Sequence, residues 1–219
     1  MSGEVVADRR QPRASELAYD GLRDQIINLR LPPGSVVNEQ AMANELGLGR
    51  MPVREAIARL VSDRFITVVP RRGAVVTPVG LGDVLDMFEA REAIECGVAY
   101  IVAKRATKDD LTTLRQLVEA ADHAREGTDH EEFLRDDHAI HAFLVHMVNN
   151  SLLQDAADRL LLHNLRFWRM YWASRPAQPS TMISHADLVS ALEAHDPELA
   201  AKAMREHLAA SRHLVQASF

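Results

Sequence analysis

Cysteine is almost missing from this chain of 219 residues: Cys96 is the only one. It can close no internal disulfide and supports no cysteine-rich zinc site, so a reduced setting is expected. No apolar run reaches the roughly 18 residues that a membrane-spanning helix needs. The first 15 residues hold no apolar core of the kind a secretory signal uses. Together these absences predict a cytoplasmic protein. Internal repeats and low-complexity tracts are lacking too. Lysine does not occur before Lys104, nor histidine before His123.

With 47% hydrophobic and 26% charged residues the composition is that of a folded protein, and the length suits one or two domains. The charge is divided. Residues 1–78 carry 11 arginines against 9 carboxylates, whereas residues 79–219 carry 14 basic side chains against 22 acidic ones. All ten histidines lie in the second part. The basic charge of the first part is thus entirely arginine, whose planar fork suits phosphate and guanine. Two parts with two tasks are expected.

Residues 1–14 are polar, include Arg9, Arg10 and Arg13, and show no periodicity, which predicts a flexible arm. Ser15 offers a helix cap, and Leu17, Leu22, Ile26, Ile27 and Leu29 give the next segment an apolar side to about residue 30. The turn Leu31-Pro32-Pro33-Gly34 ends it, since neither proline continues a helical ladder. A short helix over Glu39–Leu46, a break at Gly47-Leu48-Gly49 and a third helix over Arg50–Ser62 follow. In the third, Val53, Ala56, Ile57 and Leu60 fall at i, i+3, i+4 and i+7, a packing stripe flanked by Arg50 and Arg54. Two strands, 65–69 and 74–77, are predicted around a basic tip, Pro70-Arg71-Arg72-Gly73.

Three helices and a basic-tipped hairpin make a winged helix-turn-helix. Such a recognition helix sets its N-terminal side chains against base edges, and an arginine on the hairpin reaches phosphate or the minor groove. Solvated arginines on a small helical domain are the plainer alternative. Double-stranded DNA is the partner favoured, because Arg50, Arg54, the glycine break and the tip all fall in register.

From Leu81 onward the pattern is helical throughout, with breaks that predict six helices over about 81–104, 108–125, 130–148, 152–173, 181–194 and 197–216. This is the pattern of an antiparallel bundle, so the chain as a whole is expected to be mainly α. On the first of these helices Val84, Phe88, Arg91, Glu95, Val98 and Val102 share a face. Arg91 and Glu95 therefore sit within an apolar stripe, where an unpaired charge costs several kcal/mol. Either they form an i,i+4 ion pair at the stripe's edge, or Arg91 faces a cavity ready for a ligand carboxylate. On the third helix Asp137 and His141 lie four apart among Leu134, Leu144, Val145 and Val148, and can bind one cation together. His185 shares a face with Leu188, Val189 and Leu192, and His207 one with Ala200, Ala203, Met204, Ser211 and Leu214. A lone inward histidine is ordinarily a hydrogen-bonded core residue, the reading given to His163. Three inward imidazoles and an aspartate in one bundle favour a metal site.

These residues carry two resemblances. Pro33-Gly34, the Glu39-to-Gly47 segment, Arg50-Met51-Pro52-Val53-Arg54-Glu55-Ala56 and Pro70-Arg71-Arg72-Gly73 with Val76 resemble the DNA-binding domain of GntR-type bacterial regulators over residues 15–78. The resemblance implies DNA contact by Gln40, Arg50, Arg54, Arg72 and Gly73. Gly49 and Met51 depart from the family's usual hydroxyl residues. Residues 79–219 resemble the effector domain of the FadR-like branch, known as FCD, through Asp137, His141, Asn150, His185, Asp196 and His207. That likeness implies a divalent ion on Asp137, His141, His185 and His207, zinc first and nickel or manganese as alternatives. It further implies a small organic acid whose carboxylate meets the ion and Arg91, beside Glu95; the chain is read as a repressor, and helix-turn-helix proteins in general lead one to expect a homodimer on a two-fold operator. Ile140 replaces the usual phenylalanine, and His138 and His146 are spares outside the ligand set. Phe167, Trp168, Tyr171 and Trp172 are assigned to core or dimer packing, with a pocket wall as the alternative. Two other functions remain: a metal-dependent hydrolase on the bundle, with Glu95 as its base, and a regulator for which the metal itself is the signal.

Overall fold

A computed structural model describes residues 12–127, 129–174 and 184–217, which form two compact units divided between Pro78 and Val79. Of the predicted arm, residues 1–11 lie outside the described residues, as do Thr128 and residues 175–180, which fall between predicted helices. In the first unit, helices α1 (Ala14–Ile27), α2 (Glu39–Leu46) and α3 (Arg50–Ser62) precede strands β1 (Ile66–Val69) and β2 (Gly73–Val76). In the second unit, α4 (Leu81–Arg105), α5 (Lys108–Glu126), α6 (His130–Met147), α7 (Ser151–Ala173), α8 (Ala186–Glu193) and α9 (Pro197–Gln216) form the bundle.

α1 starts one residue before Ser15, which does not cap it. The Glu16 carboxylate instead accepts from the Arg13 backbone N–H at 2.8 Å. Ala18, Leu22 and Ile26, spaced by four, are fully buried, while Leu17 is 47% exposed because it lies one step, about 100°, off that row. Asn38 caps α2 by accepting from Ala41 N–H at 3.0 Å. Gly47 closes the helix at φ +66°, a left-handed conformation that glycine adopts without strain. Val53, Ala56, Ile57 and Leu60 of α3 are buried against α1 and α2. The strands pair antiparallel with Ile66 opposite Val76 and Val69 opposite Gly73. The first therefore begins one residue later than expected, and the second begins at Gly73. Phe65 is instead a fully buried anchor that accepts from Thr77 N–H at 2.9 Å.

In the bundle, side-chain acceptors satisfy the open N–H groups at helix starts. Thr107 and Asp110 form a reciprocal box on α5, Asp129 caps α6, and Asp196 accepts from Leu199 N–H at 3.0 Å on α9. The α7 cap is Asn150, which accepts from Leu152 N–H and Leu153 N–H. α4 packs on α9, α7 and α6, which brings its Arg91 face to the middle of the bundle. The expected 181–194 helix is shorter: α8 begins at Ala186, with His185 at its N-cap, and residues 181–183 lie outside the described residues. Phe167, Trp168, Tyr171 and Trp172 are all buried and pack on one another, with Phe133 of α6 against Trp172 at a ring separation of 5.9 Å.

Candidate metal centre and nucleic-acid interface

Four side chains from α6, the start of α8 and α9 converge inside the bundle. Asp137, His141, His185 and His207 each offer one ligand atom, all within 4.8 Å of one another. Asp137 and His141 meet because they stand one helical turn apart on α6. His185 reaches them from the end of its helix, its Nε2 3.2 Å from His141 Nε2 and 3.8 Å from Asp137 Oδ1. The His185 and His207 rings lie 3.9 Å apart, centroid to centroid. None of the four is more than 5% exposed.

Electrostatics favours donors rather than ions here. Burial, then the neighbouring His207, His141 and Arg91, pushes His185 well below the ordinary imidazole range. Burial, then His141 and Arg91, brings His207 down to about 3. Both imidazoles are therefore neutral at physiological pH and keep a ring lone pair. Burial pushes the Asp137 carboxyl up, outweighing His141 and Arg91, which act in the other direction. Asp137 Oδ1 and His207 Nδ1 are buried without a hydrogen-bond partner, a costly arrangement unless something else meets them. Three imidazole nitrogens and one carboxylate oxygen form a donor set that fits a divalent ion such as zinc.

Next to this group lies a second layer. Arg91 and Glu95 are an i,i+4 ion pair, but at the stripe's centre and not its edge: Arg91 is 2% exposed and Glu95 3%. Arg91 Nε lies 2.5 Å from Glu95 Oε1, and His141 Nδ1 lies 2.6 Å from Glu95 Oε2. Burial alone would push the Glu95 carboxyl up, yet Arg91 and His141 outweigh it and hold it well below the usual carboxylate range. Arg91 thus spends Nε and Nη2 on Glu95 and does not stand in an open cavity. Of the other histidines, His146 is exposed, His163 is half-buried, and burial brings the half-buried His138 down to about 4.

In the first unit the arginines expected to meet DNA stand on the surface. The Arg50 and Arg54 side chains are 59% and 56% exposed at the start of α3. Both approach Glu39, the first residue of α2: Arg54 Nη2 lies 2.9 Å and Arg50 Nη2 3.8 Å from Glu39 Oε2. Gln40 is exposed and donates to Asn44 Oδ1 at 2.9 Å. At the hairpin, Arg71 and Arg72 are exposed, Gly73 has φ +81°, and Arg72 Nη2 reaches Gly34 O at 3.4 Å.

Comparison with known proteins decides between the readings of this pair of units. The profile described as "Bacterial regulatory proteins, gntR family" matches residues 14–76, and that of the FCD domain matches residues 86–210. The chain belongs to the GntR family. The HTH-type transcriptional repressor RspR of Escherichia coli strain K12 is 27% identical over 210 residues, which span 95% of this chain and 91% of RspR. The HTH-type transcriptional regulator McbR of the same strain is 28% identical over 181 residues, 81% of either protein. The solved structure of E. coli McbR/YncC shares the fold at TM-score 0.81 and 23% identity, covering 95% of this chain and 99% of that one. As a member of the GntR family with an FCD domain, this chain is a DNA-binding transcriptional regulator and not an enzyme, and the hydrolase alternative is set aside. No described helix is long and apolar enough to cross a membrane.

Two contacts of this regulator were not foreseen by sequence reading. Glu39 lies 15 residues from Arg54, and nothing in the spacing says that α2 begins opposite the first turn of α3. The hydrogen bond between Glu95 and His141 joins two helices, and no local pattern reports it.

Proposed function

We propose that this GntR regulator, a member of the FadR-like branch, couples a small organic acid to operator binding through the buried Asp137, His141, His185 and His207 group. In this reading residues 15–78 read DNA, and residues 79–219 hold the metal and the effector and form a homodimer. The observation that carries it is the convergence of three imidazoles and one carboxylate within 4.8 Å, two of their atoms orphaned. A divalent ion, zinc before nickel or manganese, would exceed the single negative charge of Asp137 among three neutral imidazoles, and the remaining positive charge would attract an acid's carboxylate. The chain's own residues do the rest. Glu95 holds the His141 ring and the guanidinium plane of Arg91, and Arg91 supplies a fixed positive charge beside the group.

Arg50 and Arg54 reach base edges, while Gln40, Arg72 and Gly73 meet the backbone; two such units in a dimer match a two-fold operator. Effector binding changes the relation of the two DNA-reading units, which needs only a few kcal/mol of differential affinity between states. RspR is named a repressor, and repression in the cytoplasm is the mode we assign to this chain.

The test is a thermal-shift screen of small carboxylic acids on the zinc-loaded full chain, followed by gel shift on its own promoter region. A true effector raises Tm by mass action and changes DNA affinity. Indifference of DNA binding to every acid would overturn the switching mechanism, and affinity that tracked zinc dose with no acid present would make the ion the signal instead.

A further inference from the structure

The Glu39 carboxylate stands in the surface formed by the first turns of α2 and α3, where a phosphate backbone would be repelled by it. It contacts Arg54 on one edge only. Arg54 Nε lies 3.3 Å from both Glu39 oxygens, and Nη2 lies 2.9 Å from Oε2. A guanidinium has a side edge, Nε and Nη2, and an end edge, Nη1 and Nη2. The pairing occupies the side edge. What remains is the end fork, the shape that matches the O6 and N7 acceptors of guanine. Glu39 is itself well fixed: it follows the Asn38 cap, and a carboxylate in a helix's first turn is favoured by the helix dipole.

We propose that Glu39 is a positioning residue for sequence reading, which grips the side edge of Arg54 and turns the end edge outward, so that Arg54 selects a guanine in place of any nearby phosphate. The proposal rests on the reading, given above, that Arg54 contacts bases. Glu39 acts in two opposing ways. Its charge weakens sequence-independent binding, because it opposes phosphate. Its grip strengthens discrimination, because a guanidinium held in one plane loses less freedom on forming two parallel hydrogen bonds. Arg50, with Nη2 3.8 Å from the same Oε2, is drawn to the same carboxylate more loosely.

The experiment uses the full chain. A random-sequence duplex library is first put through rounds of selection to obtain a preferred duplex. Each guanine in that duplex is then replaced singly by 7-deazaguanine, which lacks the N7 acceptor, and affinities are measured across a salt series. Arg54→Ala identifies the guanine that Arg54 reads as the position where the replacement ceases to matter. At that position Glu39→Gln is expected to lower discrimination by about tenfold. It should also tighten binding to unselected duplex and steepen the salt slope by about one. Glu39→Asp, one methylene shorter, should lose the discrimination yet keep the wild-type salt slope, which separates grip from charge. A purely structural role would lower Tm and weaken all duplexes alike, and that result overturns the proposal. Wild-type discrimination in Glu39→Gln, with Arg54→Ala erasing one guanine's effect, overturns the role of Glu39 alone. If Arg54→Ala leaves every guanine effect in place, the base-reading assignment itself fails.

Discussion

His141 Nδ1 lies 2.6 Å from Glu95 Oε2, and the direction of that hydrogen bond can be deduced. Glu95 is kept ionised by Arg91, so it can only accept, and the proton must sit on Nδ1. The other nitrogen, Nε2, is the one turned toward His185 at 3.2 Å and Asp137 at 3.9 Å. A carboxylate behind a histidine in this way fixes the ring's tautomer and orientation and raises its basicity as a ligand.

Glu95→Gln should therefore weaken zinc binding by about 10–100-fold while leaving Asp137, His141, His185 and His207 in place. Competition against a chromophoric chelator measures this, and unchanged affinity would show that the contact is incidental. Glu95→Ala goes further. It leaves the Arg91 charge buried and unpaired, and should cost about 3–5 kcal/mol of stability in denaturant unfolding.

Removing a ligand should act on metal and not on DNA reading. Zinc is expected to raise the Tm of the wild-type protein, by the equivalent of about 2.7 kcal/mol at a hundredfold excess over Kd. In His185→Ala and His207→Ala the rise should vanish. A full zinc response in both variants would mean that the ion binds elsewhere.

On the other unit, Arg54→Ala should weaken binding to a selected duplex by about 1–3 kcal/mol, with zinc content unchanged. Arg72→Ala should instead weaken all duplexes alike and flatten the salt slope by about one, as expected of a phosphate contact. Equal and uniform losses in the two variants would contradict the division of roles.

High pH tests the packing of α1 on α3. Burial, then the hydrogen bond from Tyr19 Oη to Asp63 at 2.8 Å, pushes the Tyr19 phenol up to about 12. A raised folded-state pKa means that the folded chain retains its proton longer than the unfolded one. The stabilisation is thus complete below about 10, the ordinary phenol value, and is lost as pH rises toward 12. Unfolding midpoints of the full chain should fall over that window, and Tyr19→Phe should fall less. Parallel curves for the two proteins would refute the assignment.

Periodicity located α3, because Val53, Ala56, Ile57 and Leu60 follow a helical repeat, and the Gly47-Leu48-Gly49 break marked the end of α2, where Gly47 turns left-handed at no cost. It likewise put Asp137 and His141 on one face, since both lie on one helix. It failed where the deciding partner is distant or where two local signals compete. Ser15 and Glu16 both offer an oxygen to the start of α1, and the glutamate takes the backbone N–H. His185 fits a helical stripe as written, yet stands at the N-cap of α8, which still carries it to the other imidazoles.

The sequence by itself determined which residues share a face, how α2 and α3 begin and end, and that every histidine would fall in the second part. Local geometry settles these, because a side chain's angle around its own axis depends only on its place in the repeat. Only the tertiary structure decided what each face meets: Glu39 against Arg54, Glu95 between Arg91 and His141, His207 against His185. Those meetings depend on how helices pack across tens of residues of intervening chain, and no spacing along one helix contains that information.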